Sequence, residues 1–123
     1  MRSVGIDLVE TARFRVKLSD EKFLSKVFTK SEIEYIKSKN SDGQVQSAAA
    51  RFAAKEALGK ALKIGIFKFS LTDIEVEKEP SGAVGFKLHG KIAEYAKGYS
   101  FSLSLTHTKN YASAVVLAEK EGE

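Results

Sequence analysis

Two acidic residues stand out because each lies on a clearly patterned segment beside residues that do not explain it. Asp7 lies in the stretch 3–10, where alternating apolar residues predict a β-strand with Asp7 on the face opposite the apolar stripe. Glu56 lies next to Phe52 in an alanine-rich stretch with the composition of a long helix. Two carboxylates on separate elements can hold Mg²⁺, which prefers oxygen ligands and needs only one or two from the protein when a phosphorylated substrate supplies others. The functional interpretation of the pair is therefore a magnesium site, and such a site has no fixed ligand spacing.

Both acids also have a purely structural interpretation, and spacing does not decide between the two. Glu56 precedes Lys60 by four residues, the arrangement of a surface ion pair that stabilises a helix by about 0.2–0.5 kcal/mol. Asp7 fits equally well as a solvated strand residue.

The position of Phe52 on its helix is unusual. At 100° per residue, Phe52 shares one half of the helix with Lys55, Glu56 and Lys60, whereas alanines and leucines occupy the other half. An aromatic ring among charges indicates that another part of the protein, or a ligand, covers that face.

Other familiar catalytic and binding patterns are missing. The sequence has neither glycine-rich phosphate loop, GxxxxGK[ST] or GxGxxG, and no aromatic-basic RNA-binding motif. Ser102, Ser104 and Thr106 share one strand face without a histidine and a carboxylate at recognisable spacing, which disfavours a serine hydrolase. His107 opens a hairpin turn, where side chains commonly reach a ligand, whereas His89 is assigned no role.

Composition limits the class of protein. The chain has 123 residues, of which 43% are hydrophobic and 29% charged, and this balance predicts a single globular domain over residues 1–123. Zero cysteines exclude disulfides and thiolate metal sites. No apolar run approaches a membrane span, and the acids at positions 7 and 10 interrupt any signal peptide. We therefore expect a cytoplasmic protein with no membrane partner.

The net charge of +4 is concentrated in the N-terminal half. Residues 1–63 carry 13 Lys and Arg against 8 Asp and Glu, whereas residues 64–123 carry 7 against 8. A basic excess suits an acidic protein, a phosphorylated small molecule or a nucleic acid about equally, and it also serves solubility.

The order of the expected elements is typical of an α+β fold, with a small, mostly antiparallel sheet packed on a long helix. A short helix is expected at 11–18, and Thr29 with Glu32 has the spacing of a capping box that starts another. The sequence predicts that Ser47 caps the long helix, which runs to about Lys63 and is ended by Gly65. Strands and one short helix follow. The expected strands lie at 70–78, 83–89, 99–107 and 111–119 and the helix at 90–98.

Four segments in order resemble one family. "GIDLVETAR", "FLSKVFTKSE", "RFAAKEALGKAL" and "SLSLTHTKNYASAVV" are similar to segments of the holo-acyl-carrier-protein synthases, the small 4′-phosphopantetheinyl transferases, over residues 4–118. The resemblance implies transfer of 4′-phosphopantetheine from coenzyme A to a serine of apo acyl carrier protein, with magnesium, releasing adenosine 3′,5′-bisphosphate. It also implies a homotrimer that binds coenzyme A between subunits and uses no nucleic acid. Coenzyme A and the neighbouring subunit are then expected to cover Phe52.

The resemblance assigns roles to matching positions. Asp7 and Glu56 match the metal-binding acids, and Lys60 matches a lysine that contacts the pyrophosphate. Three further residues match positions of the coenzyme A pocket: Arg51, Lys55 and His107. The basic residues expected to dock the acidic carrier protein are Arg13, Arg15 and Lys17. Val84 departs from the family, which commonly has proline there.

The sequence leaves two questions open: which group is the general base, and which class of protein this is. The base that removes the serine proton is Glu56, Asp7 or a water held by the metal, with the water favoured. A noncatalytic basic α+β module that binds a phosphorylated ligand or nucleic acid is the main rival, and a structural trimer without activity is a third reading.

Overall fold

The computed structural model describes residues 1–65 and 68–121, which form an α+β structure with antiparallel sheets. Its elements, in chain order, are β1 (Arg2–Glu10), α1 (Ala12–Lys17), α2 (Glu21–Val27), α3 (Lys30–Lys37), α4 (Ser41–Ala61), a 3-10 turn (Leu71–Asp73), β2 (Ile74–Lys78), β3 (Val84–Leu88), α5 (Gly90–Tyr95), β4 (Tyr99–His107) and β5 (Tyr111–Lys120). The predicted fold class is confirmed. Among these elements, no helix is both long and apolar enough to cross a bilayer.

The long helix α4 lies against a three-stranded sheet. The strand order is β1-β5-β4, and both pairings are antiparallel. β2 and β3 form a separate antiparallel hairpin. The core is formed by the alanine-rich surface of α4 and the inner face of β5, where Ala112, Ala114, Val116 and Ala118 are almost fully buried. Small side chains on both surfaces let sheet and helix approach closely.

The two faces of β1 have the opposite burial from that expected of an apolar stripe. Val4, Ile6 and Leu8 are 62–64% exposed. The other face, with Gly5, Asp7 and Val9, lies against the helix side and is buried or half-buried. Asp7 is therefore not a solvated strand residue. Alternation showed that the strand has two faces, but it could not show which face meets the core.

The ends of α4 also differ from the prediction. The helix begins at Ser41, because the Asn40 side chain accepts a hydrogen bond from the Gly43 amide at 2.8 Å, so Ser47 lies inside it. At the other end Lys63, rather than Gly65, takes the left-handed conformation, with φ of 59°. The amides of Lys63 and Ile64 bond back into the last turn as in a Schellman motif.

Two local features near α3 complete the comparison. The capping box is confirmed, since Thr29 and Glu32 exchange both of its hydrogen bonds. Helix α2 was not predicted, and its start is capped by the Asp20 side chain, which accepts from the Phe23 amide at 3.1 Å.

Candidate functional site

Asp7 meets the C-terminal part of α4 through Lys60. The Lys60 ammonium donates to Asp7 Oδ1 at 3.0 Å and to the carbonyl of Ile6 at 3.0 Å. The Asp7 side chain is only 15% exposed, whereas that of Lys60 is 56% exposed. Lys60 therefore pairs with Asp7, and the expected surface pair between Glu56 and Lys60 does not form among the ion pairs of the described residues.

The second carboxylate oxygen of Asp7 has no partner within residues 1–65 and 68–121. Oδ2 is buried and accepts no hydrogen bond from the residues that the structure describes. An unpaired buried carboxylate oxygen costs free energy, because water has been removed and nothing replaces it. This oxygen is therefore available to a ligand.

Glu56 lies within the electrostatic influence of Asp7. Burial raises the pKa of the Glu56 carboxyl, and the negative charge of Asp7 raises it further. The positive charges of Lys60 and Arg13 oppose the rise. The structure thus brings together the two acids that the sequence nominated, with two cations around them.

This donor set fits a magnesium ion. No cluster of three or more acidic or histidine side chains that could hold a metal occurs within residues 1–65 and 68–121. Mg²⁺ nevertheless needs few protein ligands, because waters and substrate phosphates complete its shell. A divalent cation between Asp7 Oδ2 and Glu56 would satisfy the unpaired oxygen and offset the repulsion between the acids.

Phe52 is covered by α1 of the same chain. Its ring packs on Phe14, with centroids 5.5 Å apart, and the Arg13 guanidinium lies 5.6 Å from its centroid. Within the single chain α1 accounts for part of this cover, and Phe52 stays half-buried; that coenzyme A and a neighbouring subunit cover the rest of this face stays a prediction. The contact also fixes Arg13 between the surface of α1 and the acidic pair.

The other basic residues of α1 face outward. Arg15 lies 3.4 Å from the exposed acid Asp42, and the Lys17 ammonium lies 5.2 Å from the Phe23 ring. Both remain at the surface. Arg13, Arg15 and Lys17 therefore form an exposed basic surface beside the acidic pair.

A cleft of about 600 Å³ opens on another side of α4. Its walls come from α3, α4, the β2–β3 turn and the end of β4, and it includes Arg51 and His107. Asp7 and Glu56 are not among its lining residues. Within one chain the cleft and the acidic pair are thus separate parts of the surface around one helix.

Arg51 is held rigidly at the cleft wall. It donates to Ser47 Oγ at 2.8 Å, and its guanidinium stacks 4.2 Å from the centre of the Tyr35 ring. Burial lowers the pKa of Arg51, and its Nε has no hydrogen-bond partner among the described residues. A buried guanidinium with a spare donor at a cleft wall is well suited to an anionic ligand.

Sequence reasoning missed three cleft residues: Tyr35, Lys39 and Lys78. Burial raises the pKa of the Tyr35 phenol, but Lys39 and Lys78 together outweigh it and leave the pKa below its usual value. Lys39, Lys78 and Arg51 therefore concentrate positive charge around Tyr35 in the cleft. The repeated basic residues of 37–39 were a weak signal, since lysines on a helix end normally serve solubility.

Lys55 lies away from the cleft. It is fully buried, and its ammonium donates to Glu32 Oε1 at 2.6 Å and to the carbonyls of Val27 and Leu71 at 2.6 and 3.1 Å. Burial lowers the pKa of Lys55, and the charge of Glu32 opposes that change. Because all three donors are used inside the chain, the geometry gives no support to a role for Lys55 in the coenzyme A pocket.

The fold is that of the phosphopantetheinyl transferases. Residues 3–116 match the model of the 4′-phosphopantetheinyl transferase superfamily, and the chain belongs to that family. It is 45% identical to the holo-[acyl-carrier-protein] synthase of Treponema denticola, over 94% of this chain and 96% of that protein. It is accordingly an enzyme of the holo-[acyl-carrier-protein] synthase type.

Solved structures agree with this assignment. The holo-[acyl-carrier-protein] synthase of Helicobacter pylori in complex with coenzyme A is 37% identical, with a TM-score of 0.80 over 94% of this chain and 99% of that one. The holo-(acyl-carrier-protein) synthase of Bacillus anthracis in complex with CoA (3′,5′-ADP) is 31% identical, with a TM-score of 0.83 over 97% and 96%.

Proposed function

We propose that this enzyme transfers the 4′-phosphopantetheine group of coenzyme A to a serine hydroxyl of apo acyl carrier protein, with magnesium, and releases adenosine 3′,5′-bisphosphate. The observation that carries the metal assignment is the buried Oδ2 of Asp7, which lies beside Glu56 and Lys60 and is unpaired in the part of the chain that the structure describes. The names and ligands of the relatives support the substrate assignment.

The reaction is a displacement at the β-phosphorus of coenzyme A. The serine oxygen forms a bond to that phosphorus, the bond to the bridging oxygen breaks, and adenosine 3′,5′-bisphosphate leaves with the electron pair. Catalysis is then mainly positioning and stabilisation of negative charge on the phosphoryl oxygens. Magnesium, when bound by Asp7 and Glu56, neutralises part of that charge.

The residues of the chain supply the remaining stabilisation. Lys60 is held by Asp7 and stays more than half exposed, so its ammonium can also reach a pyrophosphate oxygen. Arg13 adds a second positive charge, and its contact with Phe52 limits its movement. A carboxylate of the pair, Glu56 or Asp7, or a nearby water takes the serine proton.

The cleft beside α4 is the proposed site for the nucleotide part of coenzyme A. Arg51 and His107 line it, and Lys39 and Lys78 add positive charge that suits the 3′-phosphate. Coenzyme A carries several phosphate charges, which accounts for the concentration of basic residues there.

The basic surface of α1 is the proposed docking site for the carrier protein. Arg13, Arg15 and Lys17 are exposed there, with Arg13 reaching toward the acidic pair. An acidic partner bound on α1 would bring its serine close to the metal, and these exposed charges act mainly on the rate of association.

Three copies of the chain form the proposed active assembly. The outer face of the sheet presents an apolar patch in which Val4 pairs with Leu117 and Ile6 with Val115 on adjacent strands. Contiguous exposed apolar surface of this kind marks an interface between proteins. Assembly between copies would join the cleft of one subunit to the acidic pair of another, which explains why a single chain separates them.

The proposed function is tested by measuring the mass of the modified carrier protein. Parent protein, coenzyme A, Mg²⁺ and apo acyl carrier protein are incubated, and the mass of the carrier is followed by mass spectrometry. We expect the carrier to gain one phosphopantetheine, EDTA to stop the reaction, and Asp7→Asn and Glu56→Gln to lower the rate by about 10²–10³-fold.

Glu94→Gln is the matched control, because Glu94 is an exposed glutamate on α5 outside the site. It should react at the parent rate. A noncatalytic module that binds a phosphorylated ligand predicts instead that the parent binds coenzyme A and leaves the carrier mass unchanged. That result would exclude the proposed activity, and a Glu56→Gln variant with the parent rate would exclude the metal assignment.

A further inference from the structure

Strand β1 touches the backbone of α4 at Gly5. A Cβ atom built on this buried residue would collide with the carbonyl oxygen of Ala57 and lie 2.6 Å from the amide nitrogen of Ala61. Both are backbone atoms, so no side-chain movement could relieve the clash. Only a residue without a side chain permits this approach.

The same face of β1 carries two polar contacts to the last turns of α4. Ser3, two residues before Gly5, donates its hydroxyl to the carbonyl of Ala61. Asp7, two residues after Gly5, accepts from Lys60. Since alternate residues of a strand share a face, Gly5 is the central point of a contact that ends at the proposed metal site.

The distance between Asp7 and Glu56 depends on this contact. A methyl group at position 5 has to move β1 away from α4 by about 1 Å or more to reach ordinary van der Waals separation. Mg²⁺ accepts ligands only close to 2.0–2.1 Å, so a displacement of that size removes one carboxylate from its shell.

We propose that Gly5 is a positioning residue for the metal site: its missing side chain seats β1 directly on the turn Ala57–Ala61, which sets the spacing at which Asp7 and Glu56 share one cation. This inference rests on the proposed function, because it concerns the same metal. Gly5 itself touches neither metal nor substrate.

The test is Gly5→Ala, with Mn²⁺ as the probe. Binding of Mn²⁺ is measured by electron paramagnetic resonance with coenzyme A present and no carrier protein, so that no turnover is needed. We expect Gly5→Ala to bind Mn²⁺ at least about tenfold more weakly. In the transfer assay, the KM for Mg²⁺ should rise more than kcat falls, because added metal compensates for weaker binding.

Gly85→Ala is the matched control. Gly85 also lies in a strand, and a Cβ there meets no atom of the described residues within 4 Å. It should bind Mn²⁺ as the parent does. If Mn²⁺ binding weakened equally in both variants, the effect would belong to strand glycines in general, and the inference would be overturned.

A longer acidic side chain at position 7 should restore metal binding when β1 is displaced. Asp7→Glu in the parent is expected to weaken Mn²⁺ binding, because the extra methylene overfills the site. In the Gly5→Ala background the same change should strengthen it, because the longer side chain spans the added distance. This reversal of sign would not arise from a general loss of stability, and its absence would count against a positioning role.

Ser3→Ala provides a second test if Gly5→Ala does not fold. It removes the hydroxyl bond to Ala61 without adding volume, and we expect Mn²⁺ binding to weaken by a few fold. Unchanged binding in folded Gly5→Ala, or in Ser3→Ala where the first variant is unfolded, overturns the inference while leaving the activity intact. A parent that binds Mn²⁺ but modifies no carrier would instead refute only the proposed function. A parent that binds no Mn²⁺ would refute both.

Discussion

Glu56 carries much of the electrostatic cost of the site. Its pKa is raised by burial and by the charge of Asp7, so the folded protein favours the protonated form more than the unfolded chain does. The associated stability is present below the ordinary value near 4.5 and is lost as the pH rises through the raised pKa. Above the raised pKa, and without metal, the ionised acid therefore destabilises the fold.

This behaviour predicts that Glu56→Gln is more stable than the parent in EDTA at pH 7. We expect the Tm to rise by a few degrees, because the amide removes the buried charge and its repulsion with Asp7, and the gain to disappear near pH 4, where the parent acid is protonated. Mg²⁺ should stabilise the parent and not the variant. Thermal unfolding, followed by circular dichroism, measures the Tm at pH 7, the Tm near pH 4 and the effect of Mg²⁺, with Glu94→Gln as the control. A variant less stable than the parent at pH 7 would contradict the cost assigned to the ionised Glu56 carboxylate.

At the scale of elements, a buried ion pair ties the parts of the fold together. Glu32 Oε1 accepts from Lys55 and from the Thr29 amide, and its Oε2 accepts from the Val76 amide at 3.0 Å. With the carbonyls bound by Lys55, this group links α2, α3, α4, the 3-10 turn and β2. It therefore fixes the rotation of α4, on which Arg51 and Glu56 both depend.

Lys55→Met should reduce the free energy of unfolding by about 3–5 kcal/mol, because it leaves the Glu32 charge buried without its counterion. Combining it with Glu32→Gln should restore part of the loss, since the two residues interact directly. Urea unfolding at pH 7 provides the measurement.

Lys37→Met is the appropriate comparison for that prediction. Lys37 pairs with Glu21 at 3.4 Å, and both side chains are more than half exposed. Removing such a pair changes stability by about 1 kcal/mol or less. If Lys55→Met were no more costly than Lys37→Met, the buried pair would not hold these elements in place.

The sequence predicted elements better where a local signal fixes them. Thr29 and Glu32 specify a helix start through bonds between near neighbours, and that prediction is confirmed. The burial of β1 depends on which face meets α4, and apolar residues at 4, 6, 8 and 9 leave that undetermined. Lys55 could not be predicted as buried, because lysine is rarely buried and its partner lies 23 positions away.

The site was predictable only in part, because some of its contacts join residues that are far apart in the sequence. Asp7 and Glu56 were identifiable as acids on patterned elements beside residues that do not explain them. The unpaired Oδ2 of Asp7 and the covering of Phe52 by Phe14 are tertiary facts. Neither follows from spacing along the chain.

For the whole molecule, the apolar outer face of the sheet is the proposed interface between copies of the chain. Ile6→Asp places a charge in the middle of the patch, where Ile6 is 62% exposed in the single chain. We expect the proposed trimer to dissociate to monomers, because burying an unpaired carboxylate at an interface is costly. Light scattering after gel filtration measures the mass.

The same variant should lose transfer activity together with assembly, provided that its circular dichroism spectrum is unchanged. Tyr95→Asp, at an exposed apolar position of α5 outside the patch, should keep the parent mass and rate. An Ile6→Asp protein that remains trimeric would show that this face is not the interface.

The alternation along β1 also restricts which insertions and deletions the protein can tolerate. Gly5 and Asp7 point to the helix while Val4, Ile6 and Leu8 point away, so the two sets differ by a single step along the backbone. Deleting or inserting one residue within the strand would exchange them, placing bulky side chains where only hydrogen fits and turning the acid outward. Length variation among homologues should therefore fall in loops and spare this strand entirely.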